Sequence, residues 1–273
     1  MLSVIIPANN EQAWIGRSLA ALFASDPVPG GAEAVVVANG CTDATVPLAR
    51  GFAPEAAASG WGLTVIELAQ GSKPGALNAG DAAARGDLRA YLDADVLVSP
   101  ALMAQIAVAL ANPAPAYASG RPVVAGAQSA VTRAYARIWT RLPFVQGTAP
   151  GFGLFAVNAA GRARWGDFPA IISDDTFVRL QFSPEERIEV PATYVWPMIE
   201  GFAALTRVRR RQDAGVAEIA RLWPAMMARE AKTAPDARLL AGLALRDPLG
   251  VATYAAVSLA VRLRRSGGWT RGR

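Results

Sequence analysis

Histidine is absent from all 273 residues, and cysteine occurs once, at Cys41. The first absence removes His-based triads, imidazole metal ligands and imidazole general bases, so acid–base chemistry falls to carboxylates, Lys, Tyr or Cys. The second excludes an intramolecular disulfide and fits a reducing compartment. With no neighbouring base to activate it, Cys41 reads as a small packed side chain. No signal peptide is visible, since Met1-Leu2-Ser3-Val4 runs directly into a strand-like segment, and a cytoplasmic location is the expectation. No internal repeat or low-complexity segment is evident. Near the C-terminus, residues 251–263 carry no charge before Arg262, but this run is shorter than the roughly 20 apolar residues that a bilayer-spanning helix needs.

What the chain does have is apolar bulk: 52% hydrophobic residues over this length fill a sizeable core and exclude disorder over most of it. The charge balance, 27 − 22 = +5, is a modest excess that gives no reason to expect nucleic acid as a partner. The excess is concentrated late. Arg207, Arg209, Arg210 and Arg211 form one cluster, and Arg262, Arg264, Arg265, Arg271 and Arg273 load the end. With these arginines and Trp269 after it, the apolar run reads either as a core helix with a basic end or as a segment lying on an anionic membrane surface, the inner face in a cytoplasmic setting.

Strand-length apolar runs at 3–7, 34–38, 63–67 and 88–92 alternate with helix-like stretches at 11–25, 43–52 and 73–85. The alternation predicts an α/β fold with a mostly parallel central sheet and helices on both faces. Such sheets bind ligands beyond the carboxyl ends of their strands. There the first, second and fourth runs lead into Asn9-Asn10-Glu11, Asn39-Gly40-Cys41-Thr42-Asp43 and Asp93-Ala94-Asp95, so three polar clusters are expected to converge on one edge. Farther on, helices are predicted at 100–111 and 128–141 and strands at 116–124 and 154–158. A glycine-containing loop at 147–153 and a helix at 174–182 with Ser173 as N-cap complete the reading, and the pattern is helical from residue 216 onward.

Two carboxylates one residue apart at the end of a buried strand, Asp93 and Asp95, can share a hard cation such as Mg²⁺ or Mn²⁺ whose other positions are filled by diphosphate oxygens and water. The plain alternative is a turn in which Asp is a local acceptor. Context weighs here: Val4-Ile5-Ile6-Pro7-Ala8-Asn9-Asn10-Glu11, then Val36-Val37-Ala38-Asn39-Gly40-Cys41-Thr42-Asp43-Ala44-Thr45, then Gly71-Ser72-Lys73-Pro74-Gly75-Ala76-Leu77-Asn78-Ala79-Gly80, then Tyr91-Leu92-Asp93-Ala94-Asp95. These four segments, in this order, resemble the family 2 glycosyltransferases of the Rossmann-like GT-A fold. The likeness is close over the first hundred residues and looser to about residue 215.

The resemblance implies that the loop of Pro7, Ala8 and Glu11, with Asn39 and Asp43 beside it, holds the nucleoside, Asp43 reading the base. It also implies that Lys73 lies beside the nucleotide-sugar and that Asp93 and Asp95 bind a divalent cation and the ribose. The residue chemistry agrees, since a carboxylate accepts from an imide N–H or ribose hydroxyls and an ammonium offsets diphosphate charge. Each also has a plain reading: Asp43 as a helix N-cap, Lys73 and Glu11 as solvated charges. Ser173-Asp174-Asp175 resembles the family's acidic pair at a helix start, which implies Asp175 as catalytic base, with Asp174 where the family usually carries Glu; two acids at a helix N-terminus also simply complement the macrodipole. Arg207-Val208-Arg209-Arg210-Arg211-Gln212 falls where some members carry Gln-x-x-Arg-Trp, and only Arg211 matches, which argues against processive synthesis. The arginines close over the diphosphate or form a solvated basic stripe. Gly151-Phe152-Gly153, Trp165 and Phe168 lie where the family forms its acceptor cleft, although core packing explains each aromatic as well.

The expected organisation is therefore a nucleotide-sugar-binding and catalytic domain over 1–215, with a donor half at 1–99 and an acceptor half at 100–215, and a mainly helical extension at 216–273. The expected activity is inverting transfer of a sugar from a nucleotide-diphosphate sugar, most simply a UDP-sugar, to a hydroxyl of a sugar or lipid-linked acceptor. Two other classes stay open on the same fold. One is a nucleotidyltransferase, although Pro7-Ala8-Asn9-Asn10-Glu11 lacks a glycine- and arginine-rich triphosphate loop; the other is a non-catalytic nucleotide-sugar-binding scaffold.

Overall fold

The computed structural model describes residues 1–147 and 149–263. Thr148, in the glycine-containing loop, and the terminal Arg264, Arg265, Trp269, Arg271 and Arg273 lie outside the described residues. Among the described residues eight strands form one sheet: β1 (Leu2–Ala8), β2 (Ala32–Asn39), β3 (Trp61–Leu68), β4 (Leu88–Leu92), β5 (Leu97–Val98), β6 (Tyr117–Val124), β7 (Leu154–Val157) and β8 (Arg187–Trp196). Their order across the sheet is β3-β2-β1-β4-β7-β6-β8-β5. The first four pair in parallel, β7 runs antiparallel to both β4 and β6, and β6 and β8 are parallel again. Among the described residues eleven α-helices surround it: α1 (Ile15–Phe23), α2 (Thr45–Gly51), α3 (Ala53–Ala58), α4 (Lys73–Ala83), α5 (Leu102–Ala109), α6 (Ala130–Trp139), α7 (Ala159–Arg162), α8 (Asp174–Arg179), α9 (Phe202–Leu222), α10 (Ala237–Arg246) and α11 (Pro248–Leu263).

The period of two in the central strands explains the layering. Leu2, Val4, Ile6 and Ala8 of β1, with Ala34 and Val36 of β2, face one core that α1 and α5 close with Ile15, Leu19, Leu22, Met103 and Ile106. Ile5, Val35 and Val37 face the opposite core, closed by Ala76 and Leu77 of α4, Phe177 and Val178 of α8, and Ile219 of α9. Strands apolar on both faces can only lie between two helical layers. Gly80 fixes the depth of α4, because a Cβ there would collide with the Ile5 side chain and stand 3.3 Å from Val37. The acid within β2, Glu33, is buried and satisfied: it accepts from Ser3 Oγ at 2.7 Å, the Arg85 backbone N–H at 2.6 Å and Arg85 Nε at 2.7 Å. A third apolar cluster, built from Tyr135 and Trp139 of α6, Leu205 of α9 and Val257 of α11, joins the C-terminal helices to the sheet's far half.

The architecture is the expected α/β one, with differences that have physical causes. The helix expected at 43–52 is α2, and a second short helix not read from the sequence, α3, follows it directly past Phe52 with Pro54 in its first turn. The C-terminal helical pattern begins earlier than residue 216, since α9 already starts at Phe202, and its arginine-rich stretch is helix. Ser173 stands at the N-cap position of α8 but makes no side-chain cap bond. Its hydroxyl is pressed instead against Gly215 of α9. Neither β8 nor β5 was read from the sequence. The β8 segment carries Glu189 and Pro191 within it and pairs with β6 through a register shift, which blurs the alternation a strand is recognised by.

Candidate active site

The carboxyl ends of β1, β2 and β4 meet at one edge, as the first three polar clusters require. The loop after β1 is lashed to the loop after β2 by reciprocal bonds. Asn9 Nδ2 donates to the Asn39 carbonyl, Asn10 Oδ1 accepts from the Thr42 N–H at 2.7 Å, the Glu11 N–H donates to Thr45 Oγ1 at 2.8 Å, and the Gln12 N–H donates to Asp43 Oδ2 at 3.1 Å. Asn39 is buried and braces three elements. Its Nδ2 donates to the Ala8 carbonyl at 2.8 Å and its Oδ1 accepts from the Ser72 N–H at 3.1 Å, so it ties the loop that starts α4 to both strands. Cys41 is packed in this seam, its thiol 3.5 Å from the Ala8 carbonyl. Asp43 serves the turn: Oδ1 accepts from the Thr45 N–H at 3.0 Å and the Thr45 hydroxyl at 2.5 Å. Burial raises its pKa, but these bonds outweigh that and hold the carboxyl below its usual value.

The fourth motif sits opposite. Asp93 follows β4 and its backbone closes a turn, the carbonyl accepting from the Val96 N–H at 3.1 Å while its own N–H donates to the Gly153 carbonyl at 2.8 Å. Because backbone atoms close the turn, the Asp93 side chain is left to point into the cleft, where Oδ1 lies 3.0 Å from Lys73 Nζ. The same ammonium lies 3.2 Å from Oδ2 of Asp174. Lys73 begins α4, with the Ser72 hydroxyl capping the helix by accepting the Gly75 N–H at 3.1 Å, so the cap aims the lysine outward from the sheet edge. Burial works against its charge, but the carboxylates of Asp174 and Asp93 outweigh burial and raise its pKa. For Asp174 burial dominates, and with the nearby Asp175 and Asp93 it pushes the carboxyl up against the pull of Lys73. Asp175, half-buried, accepts its neighbour Thr176's N–H at 2.6 Å.

One cleft gathers these groups: Pro7, Lys73, Asp93, Asp174 and Asp175 line it together with Leu77, Tyr91, Phe155, Gly151 and Gly153. Gly153 is required there. Its φ is +69°, and a Cβ would stand 2.8 Å from Val96 Cγ2 and 2.9 Å from Trp196 Cδ1. Behind it Phe152, Trp139 and Trp196 form an aromatic wall, with the two indoles 5.5 Å apart. Trp196 ends β8, and the unread strand is why it was missed. Trp165 and Phe168, by contrast, are core: 8% and 3% exposed, packed on each other, Phe168 edge-on to Tyr91. Ala8 is buried at the end of β1, and Glu11 and Asp43 lie along the lashed loops rather than on the cleft lining.

The arginine cluster divides on α9. Arg209 donates to the Tyr135 hydroxyl and Arg210 to the Ala260 carbonyl near the end of α11, so both brace helices. Arg211 lies one turn before Gly215 on the face turned to Ser173 and the acidic pair, and its Nε is buried without a hydrogen-bond partner. It is not among the cleft-lining residues. A divalent cation needs oxygen ligands, and among the described residues no group of three or more Asp, Glu, Cys or His forms a site by itself. Asp93 lines the open cleft, whereas Asp95, two residues on, is not among the lining residues; a cation held at this turn would take its remaining ligands from a bound diphosphate and water.

The fold has counterparts among solved structures. The structure is similar to the mannosyltransferase PcManGT from Pyrobaculum calidifontis in complex with GDP-Man and Mn²⁺, at TM-score 0.59 and 25% identity over 97% of this chain and 76% of that one. S. aureus TarS 1-349 in complex with UDP-GlcNAc shares the fold at TM-score 0.54 and 13% identity, covering 96% of this chain and 91% of that one. So does glucosyl-3-phosphoglycerate synthase from Mycobacterium tuberculosis in complex with Mn²⁺, UDP and glucosyl-3-phosphoglycerate, at TM-score 0.51 and 20% identity over 87% and 81% of the two chains. No curated protein matches at the level of sequence. The fold is thus GT-A, and the Glycosyl transferase family 2 model matches residues 3–165, more than half of the chain and all four N-terminal motifs. With the motifs assembled at one sheet edge as that family requires, the chain belongs to glycosyltransferase family 2 and is a glycosyltransferase.

Proposed function

We propose that this enzyme transfers a sugar from a UDP-sugar to a hydroxyl of a sugar or lipid-linked acceptor in a single displacement that inverts the anomeric centre. The observation that carries the reading is Lys73, held between Asp93 and Asp174 in the cleft. A spot that draws an ammonium between two carboxylates is suited to positive charge, and a diphosphate entering there would meet that ammonium directly. Asp93 and Asp95 would hold Mg²⁺ or Mn²⁺, which when bound supplies charge neutralisation to the leaving diphosphate. The lashed loops carrying Pro7, Ala8, Glu11, Asn39 and Asp43 would seat the nucleoside. Asp43, although bonded to Thr45 and Gln12, has carboxylate lone pairs left for an imide N–H.

Asp175 would take the acceptor proton as the acceptor oxygen attacks the face opposite the nucleotide, and Asp174 would position Lys73. Arg211, on the α9 face turned to the acidic pair, would close on the diphosphate. In this reading residues 1–99 are the donor half, 100–215 the acceptor half and 216–273 a helical extension, and the enzyme works in the cytoplasm, meeting lipid-linked acceptors at the inner membrane face. No helix among the described residues is long and apolar enough to cross a membrane. The test is slow donor hydrolysis with Mn²⁺ across a panel of nucleotide-sugars. Hydrolysis strongest with a UDP-sugar and lost in Asp95→Ala and Asp175→Asn supports the proposal. Binding without turnover would point to a scaffold, and turnover only with a sugar phosphate plus nucleoside triphosphate to a nucleotidyltransferase.

A further inference from the structure

The last two helices leave much apolar surface in water. Leu245 is 86% exposed, Leu249 76%, Leu263 73%, Leu259 57% and Leu240 45%, whereas α11 buries only Gly250 and Val257 on its inner side. Along α11 the exposed positions Leu249, Ala252, Ala256, Leu259 and Leu263 recur at helical spacing and make one continuous stripe. A helix recruited only to complete a core would turn such a stripe inward; a stripe left outside marks a contact surface.

Beside it is a cavity of about 380 Å³ lined by Arg137, Arg141, Leu243, Arg246 and Asp247, which shares no residue with the cleft around Lys73. Three guanidinium groups face one carboxylate there, and that carboxylate is committed. Asp247 accepts from Arg137 Nε at 2.6 Å and Nη2 at 3.1 Å, and from the Gly250 N–H at 2.9 Å. Arg141 and Arg246 therefore leave net positive charge at the cavity, and the exposed Arg238 and Arg262 extend it along the same two helices. The only acids within 236–263 are Asp236 and Asp247, each spent at a helix N-terminus.

We infer that α10, α11 and the arginine-lined cavity form a docking surface for an anionic lipid bilayer, the leucines entering the headgroup–acyl boundary and the arginines pairing with lipid phosphates. An apolar stripe rimmed by arginine is what an interfacial helix needs on both counts. A second copy of the chain fits less well, because a two-fold contact would set one basic rim against another. Helix α6 joins the two regions: it carries Arg137 of the cavity and, on its other side, Trp139 of the aromatic wall behind Gly153. This deepens the reading of a lipid-linked acceptor, but its test needs neither donor nor acceptor.

The whole chain would be sedimented with vesicles of phosphatidylcholine alone and of phosphatidylcholine mixed with phosphatidylglycerol. Binding to the mixed vesicles is expected to exceed binding to the neutral ones by about tenfold and to fall as salt is added. The variants Leu245→Ser/Leu249→Ser/Leu259→Ser and Arg141→Glu/Arg246→Glu should each lose about tenfold in vesicle binding while keeping the wild-type thermal transition and donor hydrolysis in solution. No binding, equal binding to both vesicles, or a wild-type dimer in sedimentation velocity that the leucine variant dissolves would overturn the assignment. Vesicle binding without any donor hydrolysis would instead strike the transferase reading and leave this surface standing.

Discussion

Lys73 Nζ lies 3.0 Å from Oδ1 of Asp93, so the cleft's own ammonium holds the carboxylate that a divalent cation would have to claim. The two cations would compete for one acid. Lys73→Met is expected to bind Mn²⁺ several-fold more tightly than wild type in the absence of nucleotide, a gain of about 1 kcal/mol for a half-exposed pair, and to bind UDP about tenfold more weakly once an ammonium-to-phosphate contact is gone. Calorimetric titrations of metal alone and of nucleotide with metal measure both. Weaker Mn²⁺ binding by the variant would contradict the competition.

Asp174 and Asp175 are neighbours with different surroundings, and their variants should part accordingly. Asp175→Asn is expected to lower kcat by roughly 10² to 10⁴ with little change in donor KM, the signature of a lost proton acceptor. Asp174→Asn frees Lys73 from its 3.2 Å partner and should raise donor KM as well. Identical effects of the two variants in steady-state kinetics would remove the distinction.

Gly153→Ala puts a methyl group against Val96 and Trp196 in a backbone conformation that side chains rarely adopt. Thermal denaturation should show a loss of about 1 to 3 kcal/mol, and a variant as stable as wild type would mean that the wall behind the cleft is not tightly packed.

Acid should undo the Glu186 anchor in a defined window. Its carboxylate takes Arg164 Nη1 at 2.7 Å and Nη2 at 2.5 Å, and those bonds first, with the Ser183 N–H, hold its pKa at about 2 against an ordinary 4.5. A depressed folded pKa contributes stability that is complete above pH 4.5 and is lost as pH falls through about 2. Urea titrations of Glu186→Gln should therefore show a deficit at neutral pH that shrinks below pH 4.5 and closes near pH 2. A deficit that does not change with pH would assign the loss to packing.

The N-terminal half was legible because its information is local: continuous apolar strands, and polar and acidic clusters at their ends, all report on neighbours in sequence. Asp93 could be placed in the cleft from sequence, but not the reason it points there, which is that backbone atoms close its turn. The far half depends on distant partners. Trp196 stands behind Gly153 only because β8 inserts beside β6, and Ser173, a cap by sequence, is claimed by Gly215 some forty residues on. Arg207 to Arg211 read as one basic cluster, yet a helix fans such a run around its axis and gives each arginine a different neighbour.

That same helix has a mechanical consequence. Near its middle Arg210 is fastened to α11; one to two turns on, Gly215 bears on Ser173 and Glu218 accepts the Ile172 N–H at 3.0 Å, immediately ahead of the acidic pair. A hydrogen-bonded helix is stiff along its axis, so α9 ties the placement of the Asp174-Asp175 segment at the cleft to the C-terminal helices that hold α9.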